Sequence, residues 1–282
     1  MPLAHILLPI LLQAGPDPSA GAIPDYSAEV QDRPPRELEQ PVGERVKQTW
    51  LEECFELVES DPARAHVQAE MRRNSSQGPD RVLANHCLGL AATQLGHWSE
   101  ARTAFLAGRD ELPPEESSLR ARLGTMAGNA ALASGDVEGA LALFRNARTE
   151  AQRTTSADLE AIAAMGAARA LVSLGQLDEA EPLLKDAARL RPKDGEPQLL
   201  LATLLRRLGR LEEAQAAIAE AANRAPDDPA IGLEAGVIAV LDGRDDAARQ
   251  SWQSVIDLVP DSAEAESARA YLQQLGPAST AE

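Results

Sequence analysis

Apolar positions recur at helical spacing along most of this chain. Before Gly209, residues Leu199, Leu201, Leu204, Leu205 and Leu208 form one such stripe, a single face of a 3.6-residue period. The stripe stops at a glycine, which ends a helix readily because it has no Cβ to clash in the left-handed conformation. Acidic residues follow at once: Asp178 and Glu179, Glu212 and Glu213, Asp245 and Asp246. They mark the first turn of a second helix, where unpaired N–H groups and the macrodipole favour negative charge. Each unit therefore predicts a helical hairpin.

The unit repeats. LVSLGQLDEAEPLL, LLRRLGRLEEAQAAI and AVLDGRDDAARQSW align with Gly175, Gly209 and Gly243 at intervals of 34 residues, and Pro192, Pro226 and Pro260 keep the same interval. Gly96 and Gly135 anchor two earlier copies at spacings of 39 and 40, which places insertions around 112–118 and 154–158. A fixed period of this length defines a repeat array. Small residues recur where the two helices must cross, at Ala101, Ala140, Ala180, Ala214 and Ala248. Larger ones follow four residues later, at Phe105, Phe144, Leu184, Ile218 and Trp252, to fill the space between helices. Asp228-Pro229 reads as an N-cap followed by Pro at the first helical position.

Leu88-Gly89, Ala101, Phe105 and Pro113, with Trp98 in the turn, resemble the tetratricopeptide repeat signature. The resemblance covers roughly 82–262 as five repeats and implies an all-α fold: a helical-hairpin solenoid wound as a right-handed superhelix. Residues 42–81 read as a degenerate hairpin, with helices over 43–59 and 63–74 and Asp61-Pro62 as a start signal. Residues 263–275 read as a lone C-terminal capping helix with Glu264, Arg269 and Gln273 on its polar outer face, followed by a tail over 276–282. Such a cap shelters the apolar side of the last hairpin. Residues 121–152 lack the Leu-Gly pair and the closing Pro, which predicts a loosened junction there.

Charge and composition narrow the functional classes. With 27 Lys and Arg against 44 Asp and Glu, the net charge is −17, so the chain repels nucleic acid and anionic lipid. Ala and Leu dominate the apolar residues and aromatics are only 3%, which rules out a predominantly β protein. Two Cys and four His argue against a disulfide-dense scaffold or a multi-ligand structural metal site. No HExxH, CxxC or HxxxH spacing, phosphate loop or nucleophile elbow occurs. The expectation is a non-enzyme without metal or cofactor.

The first residues read as an address. Ile6 to Leu12 are apolar apart from Pro9, and Ala20-Gly21-Ala22 is a small-residue cleavage pattern, so 1–22 is laid out as a secretory signal peptide too short to span a bilayer. Residues 23–41, with Pro24, Pro34, Pro35 and Pro41, read as a flexible tether. The expected location is the periplasm of a Gram-negative bacterium, or secretion.

In the family this chain resembles, the first helix of each hairpin lines a concave surface. That implies a groove carrying Arg122, Asn129, Arg169, Arg206 and Arg207 beside Leu90, Met165, Leu200 and Val237. Arg grips carboxylates bidentately and Asn matches a peptide backbone, so the groove suits an extended, acidic peptide. The other reading is that these arginines solvate a helix face and pair with local Glu. The Lys and Asn set of the family's carboxylate clamp is not reproduced. Cys54 and Cys87 fall on first helices of neighbouring units, as a disulfide or as two buried thiols. His86 adjoins Cys87, but neighbouring residues on a helix point about 100° apart and cannot pair as nucleophile and base. His97 reads as a surface or capping residue. The expected function is a non-catalytic scaffold binding a protein or peptide partner, or a second copy of itself. The alternative is a structural subunit of envelope, secretion or pilus machinery that uses its edges or convex face.

Overall fold

The computed structural model describes residues 49–276, which form thirteen helices and no strand. Residues 1–48, on which the expected signal peptide and tether fall, and residues 277–282 lie outside the described residues. Six hairpins follow one another: α1 (Trp50–Ser60) with α2 (Pro62–Ser75), α3 (Pro79–Gln94) with α4 (Trp98–Glu111), and α5 (Ser117–Ala133) with α6 (Val137–Ala151). Then come α7 (Ala157–Ser173) with α8 (Leu177–Leu190), α9 (Glu196–Arg207) with α10 (Leu211–Arg224), and α11 (Pro229–Leu241) with α12 (Asp245–Leu258). A single helix, α13 (Ala263–Leu275), closes the array. Most first helices touch the first helix of the next hairpin, α3 and α5 least of all, whereas second helices contact mainly the helices on either side of them in sequence. The first helices therefore lie closer together and form the inner face of this helical-repeat solenoid.

Five of the hairpin turns share one device. Gly96, Gly135, Gly175, Gly209 and Gly243 have φ between 72° and 85°, which a side chain at that position would strain. The residue after each glycine donates its N–H back into the last helical turn, as in His97 N–H to Ala92 O (2.8 Å) and Arg210 N–H to Leu205 O (2.9 Å). These bonds satisfy carbonyls that the helix end leaves open. In the first hairpin, Thr49 and Glu52 form a capping box that starts α1 at Trp50; residues 43–48 of the expected first helix lie outside the described residues.

Size matching holds five of the hairpins together. Ala101, Ala140, Ala180, Ala214 and Ala248 are fully buried, as are Phe105, Phe144, Leu184, Ile218 and Trp252 at 4% exposure or less. Sixteen residues before each of these larger side chains stands a small first-helix residue. It is glycine opposite the aromatics: a Cβ on Gly89, Gly128 or Gly236 would overlap Phe105, Phe144 or Trp252 respectively. It is alanine, Ala168 or Ala202, where the partner is the smaller Leu184 or Ile218. The two positions trade volume, as a close-packed interface requires.

Two expectations about the middle of the array change. Residues 112–116 and 154–156 form the loops between hairpins, and the extra length of these repeats is taken up in α5 and α7, which run to 17 residues against 12 for α9. The junction around 121–152 is not loose. α5 and α6 make the most extensive contact of any helix pair. Gly124 and Gly128 let Ala147 and Phe144 approach the α5 backbone, which compensates for the missing Leu-Gly pair. At the C-terminal end, α13 lays Ala265, Ala268, Tyr271 and Leu272 against the last hairpin, and Tyr271 meets Trp252 with ring centroids 5.2 Å apart.

Gly166 on α7 also faces the buried Phe144 ring, across the hairpin boundary. Gly166→Val should lower stability to urea by about 2–3 kcal/mol through overpacking. An unchanged unfolding midpoint would show that the ring is not confined between the repeats.

Candidate functional site

Between the C-terminal halves of α7 and α9 the inner face opens into a cleft of about 290 Å³. These two first helices share few contacts compared with α5 and α7. Val172, Leu200 and Leu204 supply apolar walls, Leu184 and Ala168 close the floor, and Ser173 and Thr203 add hydroxyls. Arg169 and Arg207 border it. Their roles differ. Arg169 forms an ion pair with Glu196 on α9, which ties the two sides together. Arg207 is exposed and has no ion pair or hydrogen bond among the described residues. Its guanidinium offers five N–H donors to whatever enters. The cleft thus combines apolar surface, hydroxyls and an unneutralised cation, the mixture that recognises an extended chain bearing a carboxylate.

The other residues expected along the groove are placed as follows. Arg122 and Asn129 sit on α5, both exposed, and do not line the cleft. Arg206 points away from it. Its Nε lies 2.6 Å from Glu234 Oε1, with both side chains mostly shielded, so it joins α9 to α11. Met165 is 2% exposed and belongs to the core, while Leu90 and Val237 are half-buried. Arginine pairing with the neighbouring hairpin is general: Arg102 with Asp136, Arg145 with Glu179, Arg148 with Asp186, and Arg210 with Glu181. Arg210 holds the carboxyls of Glu181 and Glu213 below the usual range by hydrogen bonding. Much of the apparent basic stripe is consequently neutralised within the solenoid. Val172, Ser173 and Thr203 were not singled out from the sequence. Their signal is the helical register, since Ser173 is one turn beyond Arg169 and Thr203 one turn before Arg207.

Cys54 and Cys87 are joined as a disulfide with Cα atoms 6.2 Å apart. The bond fastens α1 to α3 and closes a span of 33 residues, a constraint on the unfolded chain of about 3–4 kcal/mol in the loop-entropy account. Around it Val58, Ala65, Ala69, Leu88, Ala91 and Ala104 form a cluster separate from the main core. Neither sulfur is free for catalysis. Beside the disulfide, His86 is buried between Phe55 and Phe105, with ring centroids at 5.6 and 6.4 Å. Its Nε2 has no hydrogen-bond partner. Desolvation first, and then the nearby Arg122 charge, depress its pKa to about 4.

Helical hairpins repeated at a fixed period, with a capping helix and an inner cleft, define a repeat solenoid. Tetratricopeptide repeat models match residues 125–195 and 171–236. These matches place tetratricopeptide repeats over residues 125–236, in the middle of the array. The structure of the chain is similar to that of MamA, residue 41 to the end, from Desulfovibrio magneticus RS-1, at TM-score 0.52 and 17% identity, covering 66% of this chain and 100% of that one. It is also similar to a thermophilic TPR protein of Thermus thermophilus, at TM-score 0.51 and 22% identity, covering 69% and 98%. At these identities the likeness is one of fold. No curated protein matches significantly. Among the described residues no helix is long and apolar enough to cross a membrane.

The depressed proton affinity of His86 sets a pH dependence. As pH falls below about 6.5, the unfolded chain takes up this proton before the folded chain does, so stability is lost between pH about 6.5 and 4. His86→Phe, which suits a pocket between two phenylalanines, should unfold at a denaturant midpoint that falls less than that of the parent across this window. Parallel pH profiles would show that His86 is not the group responsible.

Proposed function

We propose that the protein is a non-catalytic interaction scaffold, exported to the periplasm, that holds an extended segment of a partner protein in the cleft between α7 and α9. The observation that carries this reading is the unpaired Arg207 on the border of an apolar cleft, in a chain whose other arginines so often meet a neighbouring carboxylate. An apolar side chain of the partner would enter against Val172, Leu200 and Leu204. A carboxylate next to it, either an Asp or Glu side chain or a C-terminus, would meet Arg207. Arg169, already held by Glu196, would position the entrance, while Arg122 and Asn129 on α5 would extend the contact surface. Export is supported by the 1–22 leader pattern and by the Cys54–Cys87 disulfide, because such bonds persist in oxidising compartments.

A second reading is favoured by the first described hairpin. Val67 and Met71, one turn apart on α2, are 55% and 68% exposed. An exposed apolar pair on one helix suits stacking against another subunit, as a structural assembly role requires.

One variant pair separates the two. Peptides selected from a random library against the purified chain should carry an apolar residue beside Asp, Glu or a free C-terminus. Arg207→Glu should weaken them about tenfold or more, with the melting temperature unchanged. Equal binding by the Arg207→Glu protein would defeat the cleft reading. Loss of a larger complex on Val67→Asp with Met71→Asp would favour the assembly reading.

A further inference from the structure

A second site lies at the junction of the first two hairpins, away from the cleft. His66 is on α2, His97 stands at the N-cap of α4 without using its side chain as a cap, and Glu100 is in the first turn of α4. His66 Nε2 is 2.9 Å from Glu100 Oε1, and His97 Nδ1 is 3.6 Å from Glu100 Oε2. The ligating atoms of the three residues all lie within 4.8 Å of one another. The imidazoles meet edge to face at 6.1 Å. His66 Nε2 is buried and, despite its closeness to Glu100, lacks hydrogen-bond geometry to any partner. A shielded ring nitrogen beside a carboxylate oxygen, yet not bonded to it, is an arrangement that a shared cation resolves.

We propose that His66, His97 and Glu100 bind one divalent transition-metal ion of the Zn²⁺, Ni²⁺ or Cu²⁺ class. Two neutral imidazoles and a carboxylate suit these borderline ions, whereas Mg²⁺ and Ca²⁺ prefer all-oxygen sites. A tetrahedral ion with bonds of about 2.0–2.2 Å needs donor atoms roughly 3.3 Å apart. The two measured separations lie on either side of that value, so small rotamer adjustments complete the site. Access is graded: the side chain of His66 is 18% exposed, those of Glu100 and His97 39% and 56%. An open cleft bordered by His97, Glu100 and Ser134 runs alongside and admits the water that fills the remaining coordination.

The consequence is mechanical. The ion would fasten α2 to α4, while the Cys54–Cys87 bond fastens α1 to α3. Both helices of the first described hairpin would then be tied to the hairpin that follows. Spacing along the chain concealed the cluster, because His66 comes from the preceding hairpin and joins the His97–Glu100 pair only through helix packing.

The test uses the untagged, disulfide-intact chain stripped with chelator. Calorimetric titration with Zn²⁺ should show one site per chain with Kd of about 1 µM or tighter. Co²⁺ loaded in its place should give a visible ligand-field absorption. His66→Ala and His97→Ala should each weaken Zn²⁺ by about tenfold or more and abolish the Co²⁺ absorption, with helicity by circular dichroism unchanged. Glu100→Gln should weaken binding while keeping the fold. No binding at about 100 µM Zn²⁺, or binding of equal affinity and stoichiometry in the His66 and His97 variants, overturns the proposal. The latter result would assign the ion to scattered carboxylates of an acidic chain.

Discussion

Five of the six hairpins in this solenoid depend on the contact between a small residue of the first helix and a larger one of the second. Glycine faces Phe105, Phe144 and Trp252, and alanine faces Leu184 and Ile218. Two helices can lie this close only if the volume added on one is removed from the other, since cores pack at nearly crystalline density. The same contact propagates between hairpins, because Phe144 fills space left by Gly128 within its own hairpin and by Gly166 in the next. The first helices consequently crowd together on one side, and that crowding creates the inner face. Between α7 and α9, where first-helix contact is slight, the cleft appears.

Charge is handled by the same periodic logic. Acidic residues start the second helices, and arginines reach across to carboxylates of adjacent hairpins at intervals near the repeat length, as Arg102 does to Asp136 and Arg145 to Glu179. Most such pairs are partly exposed and each contributes little to stability. Their larger effect is to remove positive charge from the surface, which makes an unpaired arginine such as Arg207 informative. The N-terminal end follows another principle. Its apolar cluster is small and separate from the main core, and the structure adds a covalent bond there.

The repeat, its turns and its packing residues were legible because they depend on local rules. A left-handed glycine, an acidic first turn and a small–large pair four residues apart each leave a trace at fixed spacing. The trading of glycine for alanine was less visible, since it links positions sixteen apart on different helices. The candidate site was legible only in part. Arg169, Arg207 and Leu200 were placed on the inner face by helical register, and they do border the cleft. Register could not show that Arg206, adjacent to Arg207, turns toward Glu234 on the next first helix, nor that Met165 falls inside the core. Those outcomes depend on how far neighbouring helices splay. That angle arises from packing between repeats rather than from any one repeat's sequence.

The central claim, that volume is traded across these hairpins, is tested most directly by a double-mutant cycle at Ala202 and Ile218. Ile218→Phe alone should destabilise the chain to urea by about 1–3 kcal/mol, because alanine leaves no room for a ring. Adding Ala202→Gly, which recreates the pair found at Gly89 and Phe105, should recover most of that loss despite glycine's poor helix propensity. Strictly additive losses in the two changes would contradict the account.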